Sequence, residues 1–476
     1  MDKAFKLVKQ LLTLLNTEQR WFTLAEIEKQ LGISNKTIRK MIEEISKQLP
    51  PAITIEVSRG KGILLRCEGR NQMVDEVIST IFRQTTFYRL MHVLFMNVDR
   101  PSIEELADIM YMSTSSLKKL IIQLNNNDLK PYKLRITHAS PKIKGNEIHI
   151  RYFYWQFYND AYEFTGWPFA QVDYAFINQL IIKIEDEKNI IFFINSKRQL
   201  AFRVAITLER MNKGKYVQMT KSNYPWEQGK FYTPVMNFLK GLDSIILVEW
   251  TKNEIYFLQS MFSLSQYNYY EEFETTKEIK SYKSKEEFEM ANQFLVLLVE
   301  FFPNLDMKER FILEVYEFFD KLLIDNAIPE LVVILKNSLT EYVQKECQQT
   351  YQEIQACMQK WNNLHPSILY NDFHLTRLTL LVITNLRYKS KKAFLVIGEE
   401  FSIRHYVAKL IKKEIGDELT INTSIMKGMT DEIVKQNSID FIISNFPIAL
   451  KSVPVVTIST IPTKKDLDNI RKELLS

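Results

Sequence analysis

The sequence predicts a mainly α-helical, multi-domain chain that closes on a small α/β domain. Three observations carry this. A helix-turn-helix pattern occurs twice, at a constant offset of 79 residues. From about residue 170 to 390 one helical periodicity succeeds another. After that, short apolar strands alternate with helices, the pattern of a parallel sheet. At 476 residues the chain also exceeds the roughly 250–300 residues at which single cores stop growing.

Residues 4–15 are expected to form a first helix. Residues 23–49 then read as helix, tight turn and helix. Leu24, Ile27 and Leu31 recur at helical spacing, Gly32 breaks the helix, Ile33 plugs the corner, and Ser34 caps the second helix. That second helix is expected to turn Ile38, Met41 and Ile45 inward and Asn35, Lys36, Arg39 and Lys40 outward. With Thr37 these are the candidate contacts, because a basic, amide-bearing face on a short docked helix suits the DNA major groove. Strands over 53–57 and 63–67, joined through Ser58-Arg59-Gly60-Lys61-Gly62, make the wing of a winged helix. Arg59 and Lys61 sit at its tip, placed for phosphates.

Residues 102–124 repeat the pattern. Leu106, Met110, Met112, Leu117 and Leu120 match Ile27, Leu31, Ile33, Ile38 and Met41. Ser113 matches Ser34, and Lys118-Lys119 match Arg39-Lys40. Thr114, Ser115, Lys118 and Lys119 are the candidate contacts here. Ala107 stands where the first copy has Glu28, and Tyr111 where it has Gly32. Strands at 134–137 and 147–152 are expected to flank a second wing carrying Lys142 and Lys144. Between the copies, residues 72–98 read as one long helix with Val74, Val77, Ile78, Ile81 and Phe82 on a packing face.

Charge respects this division. Residues 1–151 hold 24 Lys and Arg against 16 Asp and Glu, whereas the rest holds 38 against 41. Positive charge gathered on the motif-bearing part is the electrostatic footprint of nucleic-acid binding. No stretch of about 18 apolar residues suggests a membrane span, and the lysine-dotted N-terminus lacks a signal-peptide cleavage site. Cys67, Cys347 and Cys357 form no metal pattern, and their odd number argues against a disulfide framework. A cytoplasmic protein without metal or cofactor is expected.

The aromatic run from 151 to 169 is read as a buried seam against the next domain rather than a base-stacking platform. Helices are expected over 176–184, 199–211, 288–302, 311–323, 328–348 and 375–386, divided into two all-helical bundles by the charged run near 275–289. No glycine-rich phosphate loop, paired-carboxylate motif or nucleophile with a base is present there, so no catalysis is expected. His365 and His374 are the first histidines after position 151, and either is a candidate phosphoryl acceptor, pH switch or structural residue. Strands over 392–397, 418–423, 440–444 and 453–458 alternate with helices over 402–415, 430–436 and 463–475. The first strand-helix turn is a natural anion site, but Glu399 and Glu400 in it would repel a phosphate.

The order of parts resembles the Mga family of Gram-positive transcription regulators. The likeness covers essentially the whole chain and is strongest in TLAEIEKQLGISNKTIRKMIEEI, SIEELADIMYMSTSSLKKLIIQL and PKIKGNEIHIRYFYWQFY. It implies winged helices at 1–70 and 71–151, phosphotransferase-regulation domains at 152–282 and 283–390, and a domain similar to sugar-phosphotransferase subunit IIB at 391–476. It also implies a homodimer or higher homo-oligomer that binds double-stranded DNA, with curved, A·T-rich sites favoured. Histidine phosphorylation by the phosphocarrier HPr is a further implication. The first regulation domain has no histidine; the second keeps His365 and His374, with His374 favoured because His365 precedes a proline. Working IIB subunits carry a cysteine just after the first strand, and this chain has none there. The competing readings are a sugar-uptake phosphocarrier, which would need Ser402 as its nucleophile, and a non-catalytic, phosphotransferase-linked interaction scaffold.

Overall fold

The computed structural model describes residues 3–68, 72–96, 101–162, 165–219, 224–242, 249–270, 287–332, 338–386, 391–416, 419–423 and 430–475. The chain divides into two compact units, Met1–Leu297 with Lys308–Leu380 and Leu298–Met307 with Leu381–Ser476. Most of the charged run near 275–289, and positions 97, 98, 163, 164, 333–337 and 418 of the expected elements, lie outside the described residues.

The first unit opens with α1 (Lys3–Leu15), α2 (Leu24–Leu31) and α3 (Asn35–Ser46), then the hairpin β1 (Ile53–Ser58) and β2 (Gly62–Cys67). Two helices connect the copies, α4 (Gln72–Gln84) and α5 (Thr86–Met96), where one was expected. Thr85 breaks the run: its hydroxyl accepts from the Tyr88 amide at 3.0 Å and so caps the second helix. Val74, Val77, Ile78, Ile81 and Phe82 are all buried, as the periodicity required. The second copy comes next as α6 (Ile103–Ile109) and α7 (Thr114–Asn127), with a short hairpin of β3 (Arg135–Ile136) and β4 (Ile143–Lys144).

Residues 147–152 are not a strand. They begin α8 (Glu147–Tyr162), and Asn146 starts it by accepting the Ile148 amide at 2.8 Å. The alternation was deceptive because α8 is apolar nearly all round: Ile148, Ile150, Phe153, Tyr154, Phe157 and Tyr158 are all buried. A helix hydrophobic on every side belongs in an interior. This one packs on α4 and on α10 (Ile194–Asn212). The aromatic run is thus the seam that its composition suggested, and α8 carries straight across residue 151.

The bundle part continues with α9 (Tyr174–Lys188), α10, α11 (Tyr232–Leu242) and α12 (Lys252–Ser263). It is not wholly helical: β5 (Ile190–Phe192) pairs antiparallel with β6 (Tyr267–Tyr269). Then come α13 (Glu287–Phe301), α14 (Glu309–Ala327), α15 (Pro329–Val332), α16 (Ser338–Glu346), α17 (Gln348–Asn362) and α18 (Asp372–Ile383). The sequence reading did not anticipate α11, α12 or most of α17.

In the second unit β7 (Lys391–Val396), β8 (Leu419–Asn422), β9 (Phe441–Ser444) and β10 (Val455–Thr457) form an all-parallel sheet of order β10-β9-β7-β8. Helices α19 (Phe401–Ile415), α20 (Asp431–Gln436) and α21 (Lys464–Leu475) supply the connections and the closing element. Every residue of β9 is buried, as expected of a strand covered on both faces.

Candidate nucleic-acid interface

Each helix-turn-helix begins with the same device. Thr23 accepts from the Glu26 amide while the Glu26 side chain returns to the Thr23 amide at 2.7 Å. Ser102 and Glu105 form an identical capping box, again offset by 79. Two orphan helix donors are satisfied reciprocally in each case. Both recognition helices are then capped by serine, Ser34 on α3 and Ser113 on α7.

The turns agree in backbone although not in residue. Gly32 has φ 65° and Tyr111 has φ 54°, both left-handed. The tyrosine therefore occupies a conformation costing an L-residue roughly 1–2 kcal/mol, with its side chain 91% exposed. Glu28 is tolerated opposite buried Ala107 because it lies half-buried and accepts from Asn35 Nδ2 at 3.1 Å.

The inward face of each recognition helix differs from the expectation by one residue. Ile38, Ile42 and Ile45 are buried and Met41 is only half so. In α7 the set is Leu117, Ile121 and Leu124, with Leu120 half-buried. Both spacings cover an equal arc of a 3.6-residue helix, so packing and not periodicity ranks the two positions. The 79-residue offset holds for all three pairs.

The outward face is as the sequence placed it. Asn35, Lys36, Thr37, Arg39 and Lys40 are exposed, and so are Ser115, Lys118 and Lys119; Thr114 is half-buried. Lys40 lies 3.8 Å from Glu44, while Lys36, Arg39, Lys118 and Lys119 have no ion-pair partner among the described residues. In the first wing Arg59 and Lys61 are exposed, with the Lys61 ammonium 5.9 Å from the Trp21 ring centre. That wing is fixed by reciprocal hydrogen bonds of 2.8 Å between Phe22 and Ile63.

In the second wing Lys142 is half-buried and Lys144 exposed. Register places Arg135, which the sequence reading passed over, directly opposite Lys144. Like charges across a strand pair destabilise the hairpin, and neither has a carboxylate partner among the described residues. Asn125 of α7 clamps this strand, accepting from the Ile136 amide at 2.7 Å and donating to the Ile136 carbonyl at 2.9 Å. The pairing register that would have exposed Arg135 was hidden by the misreading of residues 147–152.

The candidate histidines sit in the bundle part. His374 is buried, its Nδ1 accepts from the Asn371 amide at 3.1 Å, and its Nε2 lies 3.1 Å from Asp325 Oδ2. An Nδ1 that accepts leaves the proton on Nε2, which then donates to Asp325. His365 is half-buried beside Trp361, with ring centres 4.7 Å apart and Nε2 2.7 Å from Gln293 Oε1. Burial holds its pKa below the ordinary value.

Residues 4–61 match the M protein trans-acting positive regulator (MGA) HTH domain, and residues 70–158 match the Mga helix-turn-helix domain. Across 99% of its length the chain is 28% identical to the capsule synthesis positive regulator AcpB of Bacillus anthracis, covering 98% of that protein. It is 27% identical to the capsule synthesis positive regulator AcpA of the same organism, with 99% of each chain covered. The anthrax toxin expression trans-acting positive regulator of Bacillus anthracis is 26% identical, over 97% of this chain and 96% of its own. Residues 4–61 and 70–158 are thus helix-turn-helix domains of the Mga type, and the chain is a DNA-binding transcription regulator similar along its length to these positive regulators.

Proposed function

We propose that both winged units bind promoter DNA at once and that the protein acts as a positive regulator. The unpaired cations of the outward faces carry this reading. Lys36, Arg39, Lys118, Lys119, Arg135 and Lys144 are exposed without carboxylate partners among the described residues, whereas the interior Arg151 and Arg210 are fully paired. Cations left free on a docking face are available to release counterions from phosphates. Cations outnumber amides at the first turns of both recognition helices, which favours contact with the phosphate backbone and sites read through DNA shape, with curved, A·T-rich duplexes preferred.

The test is a salt-titrated binding assay on curved and straight A·T-rich duplexes of equal length. Tighter binding to the curved duplex is expected, with a salt slope that falls in the double variants Arg39→Ala/Lys40→Ala and Lys118→Ala/Lys119→Ala. Unchanged affinity and slope in both variants would overturn the reading.

The protein is further read as a cytoplasmic homodimer or larger homo-oligomer without catalytic activity. No helix among the described residues is long and apolar enough to cross a membrane. Histidine phosphorylation by a phosphocarrier of the HPr type, at His374 in preference to His365, is the proposed link to sugar supply. A phosphoryl group on His374 would meet the Asp325 carboxylate and drive α18 from α14. Acid-labile phosphate that persists in His374→Ala, or a His374→Asp variant whose sedimentation and promoter output match His374→Ala, would sink this part.

A further inference from the structure

Within the first unit a cavity of about 160 Å³ lies between α8, α10 and α12 on one side and α14 and α18 on the other. A cavity of about 150 Å³ with apolar walls is large enough to hold benzene. This one has aromatic walls, Trp155, Phe257 and Phe373, but it also carries three guanidiniums.

Arg151 is satisfied by Glu254. Arg203 and Arg377 are not: both are half-buried, and neither has a hydrogen bond or ion pair among the described residues. Arg203 instead stacks 4.1 Å from the Trp155 ring centre, and Arg377 lies 5.7 Å from that of Phe373. The Trp155 Nε1–H also has no acceptor among the described residues, but it is out of reach of water and so of any occupant. Among the described residues of the lining the free-standing carboxylate is Asp325, which is engaged by His374 Nε2 and, with Glu317 behind it, attracts Arg377 at longer range. With Arg151 cancelled by Glu254, the described residues of the lining hold two cations against one anion. Half-buried guanidiniums without acceptors are costly unless something supplies them.

We infer that this cavity is a binding site for a small organic anion, a carboxylate or phosphate monoester on an apolar body of about benzene size. Its charged end meets Arg203 and Arg377, and its body lies among Trp155, Phe257 and Phe373. Burial holds the Arg203 pKa down to about 10, so the guanidinium stays charged at neutral pH and keeps its need for an anion. The occupant touches α8, which leads out of the second wing, and α18, which carries His374. It would therefore bridge the DNA-binding part and the candidate regulatory histidine. The inference does not depend on the DNA reading, and its test contains no DNA.

The experiment is ligand-detected NMR and calorimetry on the full chain with four probes: benzoate, phenyl phosphate, benzyl alcohol and inorganic phosphate. Saturable binding of benzoate or phenyl phosphate is expected, and which of the two binds tighter identifies the anion class. Benzyl alcohol lacks the charge and inorganic phosphate lacks the body, so both should bind at least about tenfold more weakly, as loss of one charge-assisted hydrogen bond implies. Arg203→Gln and Arg377→Gln should each weaken the preferred probe to a similar degree with unchanged circular dichroism. Arg203→Lys, which keeps the charge, should retain part of the affinity and guards against a folding artefact. Equal binding of benzyl alcohol, no saturable binding of either organic anion, or full affinity in folded Arg203→Gln and Arg377→Gln would each overturn the proposal.

Discussion

Arg151 and Glu254 form a bidentate ion pair in the interior, with Nη1–Oε2 at 2.6 Å and Nη2–Oε1 at 2.7 Å. Arg151 belongs to α8, the helix directly after the second wing, and Glu254 to α12 of the bundle part. The pair is extended by neighbours. Glu254 also accepts from the Val217 amide at 2.8 Å, and Glu147 bridges Arg151 to Arg210. Two guanidiniums and two carboxylates thus close a neutral network whose central pair is 103 residues apart in sequence.

Breaking that pair on one side strands a charge without water. Arg151→Met and Glu254→Leu should each lower stability by about 3–5 kcal/mol in chemical denaturation. The double variant should lose clearly less than the sum of the two, because neither charge is then left alone. Additive losses would mean that the two residues act independently.

The cross-strand contact of Arg135 and Lys144 sets stability against binding. Arg135→Thr removes a repulsion worth about 0.2–1 kcal/mol, so the melting temperature should hold or rise slightly. DNA affinity should fall, and the slope of log K against log salt should flatten by about one unit. A loss of stability with an unchanged slope would place Arg135 in the fold and not at the phosphate backbone.

Gly62 has φ 109°, and a Cβ there would fall 2.1 Å from the Phe22 carbonyl oxygen. Gly62→Ala must therefore open the Phe22–Ile63 bridge that holds the first wing. We expect a loss of about 2 kcal/mol or more, within the range for strained backbone substitutions. DNA binding should weaken as the wing tip with Arg59 and Lys61 is released. Gly60 at the same tip has open space around it, so Gly60→Ala strains the backbone without that clash and should be milder. Equal melting points for the two variants would refute the close approach.

Lys321 gives a pH dependence of known sign. It is buried, its ammonium lies 5.4 Å from the Tyr267 ring centre, and burial pushes its pKa down to about 8. Arg377 and Lys230 push the same way, while Glu317 and Asp320 oppose them. Between about pH 8 and the ordinary 10.5 the unfolded chain binds more protons than the folded one, so stability rises with pH across that window. The ammonium penalty is fully present below pH 8 and amounts to about 3 kcal/mol at most. Lys321→Met should be more stable than the parent at pH 7, and the difference should shrink toward pH 10.5. A constant difference would remove Lys321 as the source.

Much of the DNA-binding part was legible because its signals are local. A capping serine, a turn residue and an apolar repeat are each decided within one or two helical turns. The 79-residue offset then tied the two copies together. What local signals could not separate was strand from helix in residues 147–152, since alternating and all-round apolar patterns coincide over so short a stretch. The choice of Met41 over Ile42 failed for a related reason: both are apolar, and only packing ranks them. In the bundle part, α11 and α12 were missed because their faces are completed by residues far away in the chain, such as the Gln259 side chain that donates to the Trp226 carbonyl at 2.9 Å.

The sequence by itself determined two winged units, their basic outward faces, the helical middle and the parallel C-terminal sheet, all of which rest on periodicity and caps. Tertiary structure alone decided which charges are free and which are bound. It paired Arg151 with Glu254, set Arg135 against Lys144, sealed His374 on Asp325, and left Arg203 and Arg377 facing a cavity without acceptors among the described residues. The physical reason is that a charge's state depends on its solvation and its nearest opposite charge, and for these residues both are fixed by chain segments far away in sequence.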